Sequence, residues 1–71
     1  MSYTGFWIED KCIHGPNGVT QYWVDDGHIY EPNGYTNHWI EDGHIHSSSS
    51  GKTPYWIEDN RIYGPGEKLP W

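Results

Sequence analysis

The phrase Trp-Ile-Glu-Asp, or its variant Trp-Val-Asp-Asp, occurs four times in this chain, at Trp7, Trp23, Trp39 and Trp56, with spacings of 16, 16 and 17 residues. A short fixed period constrains a fold strongly, because each copy must form one small unit that covers its neighbour. The third copy, HWIEDGHIH (His38–His46), shows the pattern whole: aromatic leader, β-branched residue, two acids, glycine, then Ile between two histidines. A Thr stands three residues before every Trp (Thr4, Thr20, Thr36, Thr53), and Phe6, Tyr22, His38 or Tyr55 immediately before it. The units run 3–18, 19–34, 35–51 and 52–66 within a single domain of 71 residues, followed by a tail, 67–71.

Each unit reads as a β-hairpin. The turn pairs are Asp10-Lys11, Asp26-Gly27, Asp42-Gly43 and Asp59-Asn60. Asp-Gly suits a two-residue type I′ loop, whose central residues both need positive φ. Lys11 departs from that chemistry, so the first hairpin is expected to be the least comfortable. Gly15-Pro16-Asn17-Gly18 and Glu31-Pro32-Asn33-Gly34 supply turns of a second kind between hairpins, and Ser47–Ser50 reads as a looser version of the same link. No stretch places apolar residues at i, i+3, i+4 and i+7, so no helix is predicted.

A two-residue loop pairs Glu41 with His44, Ile40 with Ile45 and Trp39 with His46. Alternation then gives an aliphatic face (Ile40, Ile45, with His38) and a face of Trp, His and carboxylate. A three-residue bulged loop would instead pair Trp with Ile. A lone hairpin is marginal in water, so four must cover one another. The chain is therefore predicted to be all-β, four hairpin repeats in a pseudo-four-fold ring like a miniature propeller. Leu69-Pro70-Trp71 would seal the joint to the first unit, and an open hairpin stack is the alternative. In its repeated WIEDG-H-I-H/Y-x-P-x-G phrase the chain resembles the small bacterial four-fold beta flower proteins over residues 3–66. That resemblance implies a radial hairpin fold and no particular activity. More distantly the units resemble choline-binding repeats, which are longer, order their aromatics differently and are exported, so their ligand is not carried across.

Composition narrows the function. Ten acidic residues against four basic ones give a formal charge of −6, which argues against nucleic acid as a partner. No charged-then-apolar leader follows Met1 and no apolar run exceeds three residues, so neither a signal peptide nor a membrane partner is expected, and the cytoplasm is the expected setting. The single Cys12 excludes an intrachain disulfide. Twelve aromatics and a small core predict a homodimer.

The candidate ligand-binding set is Trp7, Trp23, Trp39 and Trp56 with His14, Tyr30, His46 and Tyr63, and the carboxylates Glu9, Asp25, Glu41 and Glu58. Rings around a carboxylate suit a small flat or cationic ligand, held in clefts between hairpins or at the hub. The competing structural reading makes the Trp residues the core and the carboxylates a solvated rim. The histidines change to Cys12, Arg61 or Tyr at matching positions, so no metal or other cofactor is expected. Cys12 and His14 lie on one strand face without an oxyanion donor, and adjacent acids such as Glu41-Asp42 serve a turn, so no catalysis is expected. A non-enzymatic binding protein follows. The alternative is a small acidic inhibitor, of the kind that phages and mobile elements encode, occupying a basic groove on a host protein.

Overall fold

The Asp-led turns set the register of everything around them. In the computed structural model, which describes residues 2–71, all four adopt left-handed backbone at both central positions: Asp10 and Lys11 (φ 52° and 68°), Asp26 and Gly27 (52° and 79°), Asp42 and Gly43 (53° and 76°), Asp59 and Asn60 (53° and 63°). This is the type I′ geometry whose twist matches that of paired strands. Lys11 adopts it like the others.

Eight strands result among the described residues: β1 (Ser2–Glu9), β2 (Cys12–Gly15), β3 (Gly18–Asp25), β4 (His28–Glu31), β5 (Gly34–Glu41), β6 (His44–Ser47), β7 (Gly51–Glu58) and β8 (Arg61–Gly64). Within hairpins the pairings are Trp7 with His14, Trp23 with Tyr30, Trp39 with His46 and Trp56 with Tyr63. The two-residue loop is thus the one formed, and Glu41 faces His44 and Ile40 faces Ile45 as expected.

Bulges occur between hairpins instead. At the β2–β3 junction Cys12 pairs with Trp23 and His14 with Val19, so three residues of β3 oppose Ile13 alone. The repeated Thr accounts for this. Thr20 donates its hydroxyl to the Ile13 carbonyl at 2.6 Å and accepts the amide of Tyr22 at 3.2 Å. Thr4, Thr36 and Thr53 donate likewise to Ile62, Ile29 and Ile45. Each hydroxyl satisfies backbone groups that the bulge leaves without ladder partners. Pro54 occupies the position after Thr53, where no ladder donor is needed.

The ladder closes into a barrel, with β1 pairing to β8, so the open stack does not form. The closing joint resembles the other three: the Ile8 amide donates to the Asn60 carbonyl at 2.7 Å, as Val24, Ile40 and Ile57 donate to Lys11, Gly27 and Gly43. Closure removes the exposed edges that would invite aggregation.

One isoleucine from each short strand, Ile13, Ile29, Ile45 and Ile62, fills the axis at 0–1% exposure. Ile8, Val24, Ile40 and Ile57 pack against them. Burial of each central side chain contributes roughly 1.5–3 kcal/mol. The aliphatic face is therefore the core, which overturns two expectations: the Trp residues do not form it, and the hub has no room for a ligand.

Two further expectations are corrected. The serine run is ordered rather than loose: Ser47 is buried opposite His38 and accepts the Ser49 amide at 3.2 Å, while the Ser48 amide donates to the Asn37 carbonyl at 3.0 Å. The tail does not seal the joint between the first and last hairpins, because direct β1–β8 pairing does that. Leu69 and Trp71 pack instead against the core from the bulged end of the barrel.

Candidate functional site on the outer wall

Since the aliphatic face turns inward, alternation puts Trp, its cross-strand partner and the following carboxylate outside. Each hairpin carries one such set. Trp7 stacks on His14 with ring centroids 5.5 Å apart and planes 13° from parallel. Trp23 stacks on Tyr30 (5.8 Å, 16°), Trp39 on His46 (5.7 Å, 13°) and Trp56 on Tyr63 (5.5 Å, 10°). Offset stacks of this kind contribute about 0.5–1.5 kcal/mol beyond area burial. The indole N–H of Trp7 donates to Glu9 at 3.3 Å and that of Trp39 to Glu41 at 3.2 Å. Asp25 stands at the corresponding position beside Trp23 with a shorter side chain, and Glu58 stands across the turn from Arg61. The twelve candidate residues thus assemble as four separate sets and not as one pocket.

The hairpins fall into two alternating kinds, which sequence reading treated as one. Trp stacks on His in the first and third and on Tyr in the second and fourth. The residue after the bulge Thr has positive φ in the first and third (Gly5 93°, Asn37 67°), whereas Gln21 and Pro54 do not. The aromatic stacks extend across only two junctions. Tyr30 meets Tyr35 at 5.5 Å with planes 48° apart, and Tyr63 meets Tyr3 at 5.6 Å and 48°. His28 adds an edge contact to Tyr35 at 5.5 Å. Val19 and Lys52 occupy the equivalent positions at the other junctions, opposite His14 and His46. Two aromatic tracks result, Trp23–Tyr30–Tyr35 and Trp56–Tyr63–Tyr3. Tyr3 and Tyr35, which sequence reading did not select, complete them; their shared place opening units one and three was the available signal.

These tracks are where large aromatic side chains reach solvent, with Tyr3 and Trp23 each 39% exposed and Tyr35 38%. Partial desolvation, and then the neighbouring phenol of Tyr30, push Tyr35 above the ordinary tyrosine value. A cleft of about 430 Å³ opens where the last hairpin turn meets the first hairpin, lined by Tyr3, Trp7, Asp59, Asn60 and Arg61.

Four of the five histidines bond to nearby backbone carbonyls. A ring nitrogen facing a carbonyl must carry the proton. His28 and His44 bond through Nδ1 to the carbonyls of Asp26 and Asp42, at 3.0 and 3.1 Å, and so brace their turns. His46 reaches the Glu41 carbonyl at 3.3 Å, and His38 the Thr36 carbonyl at 2.9 Å. Among the described residues no three His, Cys, Asp or Glu side chains converge to hold a metal ion. No helix among them is long and apolar enough to cross a membrane.

Charge is segregated. Glu9, Asp10, Asp25, Asp26, Glu41, Asp42, Glu58 and Asp59, eight of the ten carboxylates, flank or form the four type I′ turns. Because the odd-numbered strands of an up-and-down barrel run in one direction, these turns share one end of the molecule. Lys11 and Arg61 are the basic residues there. No family model matches the chain, and neither a curated protein nor a solved structure matches it significantly.

Proposed function

We propose that this protein is a non-enzymatic binding module that holds a small flat, cationic ligand against the aromatic tracks of its outer wall. The observation that carries this reading is the Trp23–Tyr30–Tyr35 track, continuous over three rings and exposed at both ends. Asp25 follows Trp23 on the same wall and would supply the opposite charge. A cation over such rings gains about 0.5–2 kcal/mol per ring according to desolvation. A flat aromatic group gains about 1–3 kcal/mol per stacked ring. The twin track Trp56–Tyr63–Tyr3, beside Glu58, makes the binding bivalent. A cytoplasmic setting and kinship with the four-fold beta flower proteins belong to the same proposal. They rest on composition and on the repeated phrase.

The test is a titration followed by Trp fluorescence, with a planar cation such as an acridinium dye as the probe. Saturable quenching with two equivalents bound is expected, and Trp23→Ala should remove one of them. Equal binding by the Trp23→Ala, Trp56→Ala double variant would defeat the proposal.

The acidic turn end favours a second reading, in which the barrel docks on a basic groove of another protein. Association would then fall steeply with salt, since the Debye length shortens from about 10 Å at 0.1 M to about 3 Å at 1 M. Lack of salt dependence in a captured complex would count against it. A homodimer formed through the exposed tracks is the remaining proposal, and sedimentation of micromolar protein as a monomer alone would remove it.

A further inference from the structure

At the bulged end of the barrel the core is finished by the residues that precede each Trp: Phe6, Tyr22, His38 and Tyr55. They do not behave alike. Phe6 lies so close over Gly15 that a Cβ there would come within 2.7 Å of its ring, and Tyr55 covers Gly64 in the same way. Both rings therefore fold onto their own hairpins. In the second and third hairpins the glycine position holds Glu31 and Ser47, whose side chains leave no such seat. There Tyr22 and His38 meet Trp71 instead, at 5.6 Å edge-on and at 5.5 Å tilted.

Trp71 is thus the guest of a chamber built by the barrel, and a loosely tethered one. Among the described residues no backbone hydrogen bond ties residues 65–71 to the strands, and Leu69 and Trp71 are the tail side chains that pack on the core. The indole nitrogen of Trp71 is buried without a hydrogen-bond partner among the described residues. A polar group left in that condition weakens its own seat. Beside the tail a groove of about 610 Å³ runs between Leu69 and Pro70 on one side and His38, Ser47, Thr53 and Tyr55 on the other.

We infer that this chamber is a second binding site, for a flat bicyclic aromatic ring with no buried donor, and that Trp71 is its displaceable internal occupant. The site is separate from the outer wall: its rings lie on the inward face, and it opens only when the tail leaves. The strand ladder below it closes without the tail, since β1 pairs directly with β8. A ligand shaped like indole but lacking its N–H would take the seat without the unpaired donor.

The experiment uses the full chain carrying Trp71→Ala, titrated with benzothiophene and with indole. Binding is read from the NMR shifts of the Tyr22 and His38 rings and from the unfolding midpoint. Both probes are expected to bind saturably, benzothiophene about tenfold more tightly, as about 1.4 kcal/mol of unpaired donor implies. In the wild-type chain the same shifts should appear only at higher probe concentration, because the probe competes with the tethered Trp71, and their absence at saturation overturns the displaceable occupant. If Trp71→Ala is unfolded at rest, benzothiophene should refold it, and failure to do so overturns the proposal. So does a folded variant whose Tyr22 and His38 signals stay still, or one whose shifts are confined to Trp23 and Tyr35 on the outer wall. Indole binding more tightly than benzothiophene would overturn the assigned ligand class.

Discussion

The hydroxyl of Thr20 lies 2.6 Å from the carbonyl oxygen of Ile13 on the neighbouring hairpin, and this one contact joins the bulge to the buried layer. Its equivalent at Thr4 bonds Ile62 at 2.7 Å with the Thr side chain 2% exposed. Thr4→Val keeps the shape and removes the hydroxyl, leaving the Ile62 carbonyl and the Phe6 amide without that partner. A loss of about 1–3 kcal/mol is expected, with Thr4→Ser losing less. In a domain of this size about 1 kcal/mol moves the unfolding midpoint by roughly 4–8 °C. Calorimetry in which valine and serine variants melt together would remove the hydrogen-bond account.

Gly15 is required for space rather than for backbone freedom, because the Phe6 ring occupies the volume a methyl group would need. Gly15→Ala should destabilise by about 1–3 kcal/mol, the usual cost of overpacking. Phe6→Leu should recover part of that loss in the double variant. Urea unfolding of the four corners of this cycle measures the coupling, and strict additivity would show that the two side chains do not compete.

Lys11 holds φ 68° at the turn position where other hairpins have Gly27, Gly43 or Asn60. Left-handed backbone costs a side-chain-bearing residue roughly 1–2 kcal/mol, and glycine gives part of that back through the entropy of the unfolded chain. Lys11→Gly is therefore expected to stabilise by about 0.5–1 kcal/mol. A lower unfolding midpoint would mean that Lys11 makes a compensating contact.

Trp39 lies outside the core, so Trp39→Ala should lose the stack on His46 and the bond to Glu41 without unfolding the barrel. About 1–2 kcal/mol is expected from those contacts together. Ile45→Ala at the axis should cost about 2–5 kcal/mol, as buried truncations do. Circular dichroism melts compare the two, and an order in which Trp39 matters more would reassign the core.

What was legible in the residues follows from how far each rule reaches. A type I′ turn is a matter of four consecutive residues, so Asp42-Gly43 pointed to the pairing of Ile40 with Ile45, and the structure removed the bulged three-residue alternative. The Thr column was visible but mute, because its acceptor, the Ile13 carbonyl, lies on another hairpin. The twelve candidate residues already fell as one set to each repeat, and only the barrel turned those sets outward and added Tyr3 and Tyr35.

By itself the sequence determined four hairpins and narrowed each to two registers, since hairpin geometry depends on neighbours along the chain. Tertiary structure alone decided for the predicted ring against the open stack, put isoleucine rather than tryptophan at the axis, and brought Trp71 into the mouth. Those outcomes depend on which groups from distant hairpins can satisfy or exclude one another: a threonine hydroxyl on a bulged carbonyl, or a phenyl ring over the one residue too small to resist it.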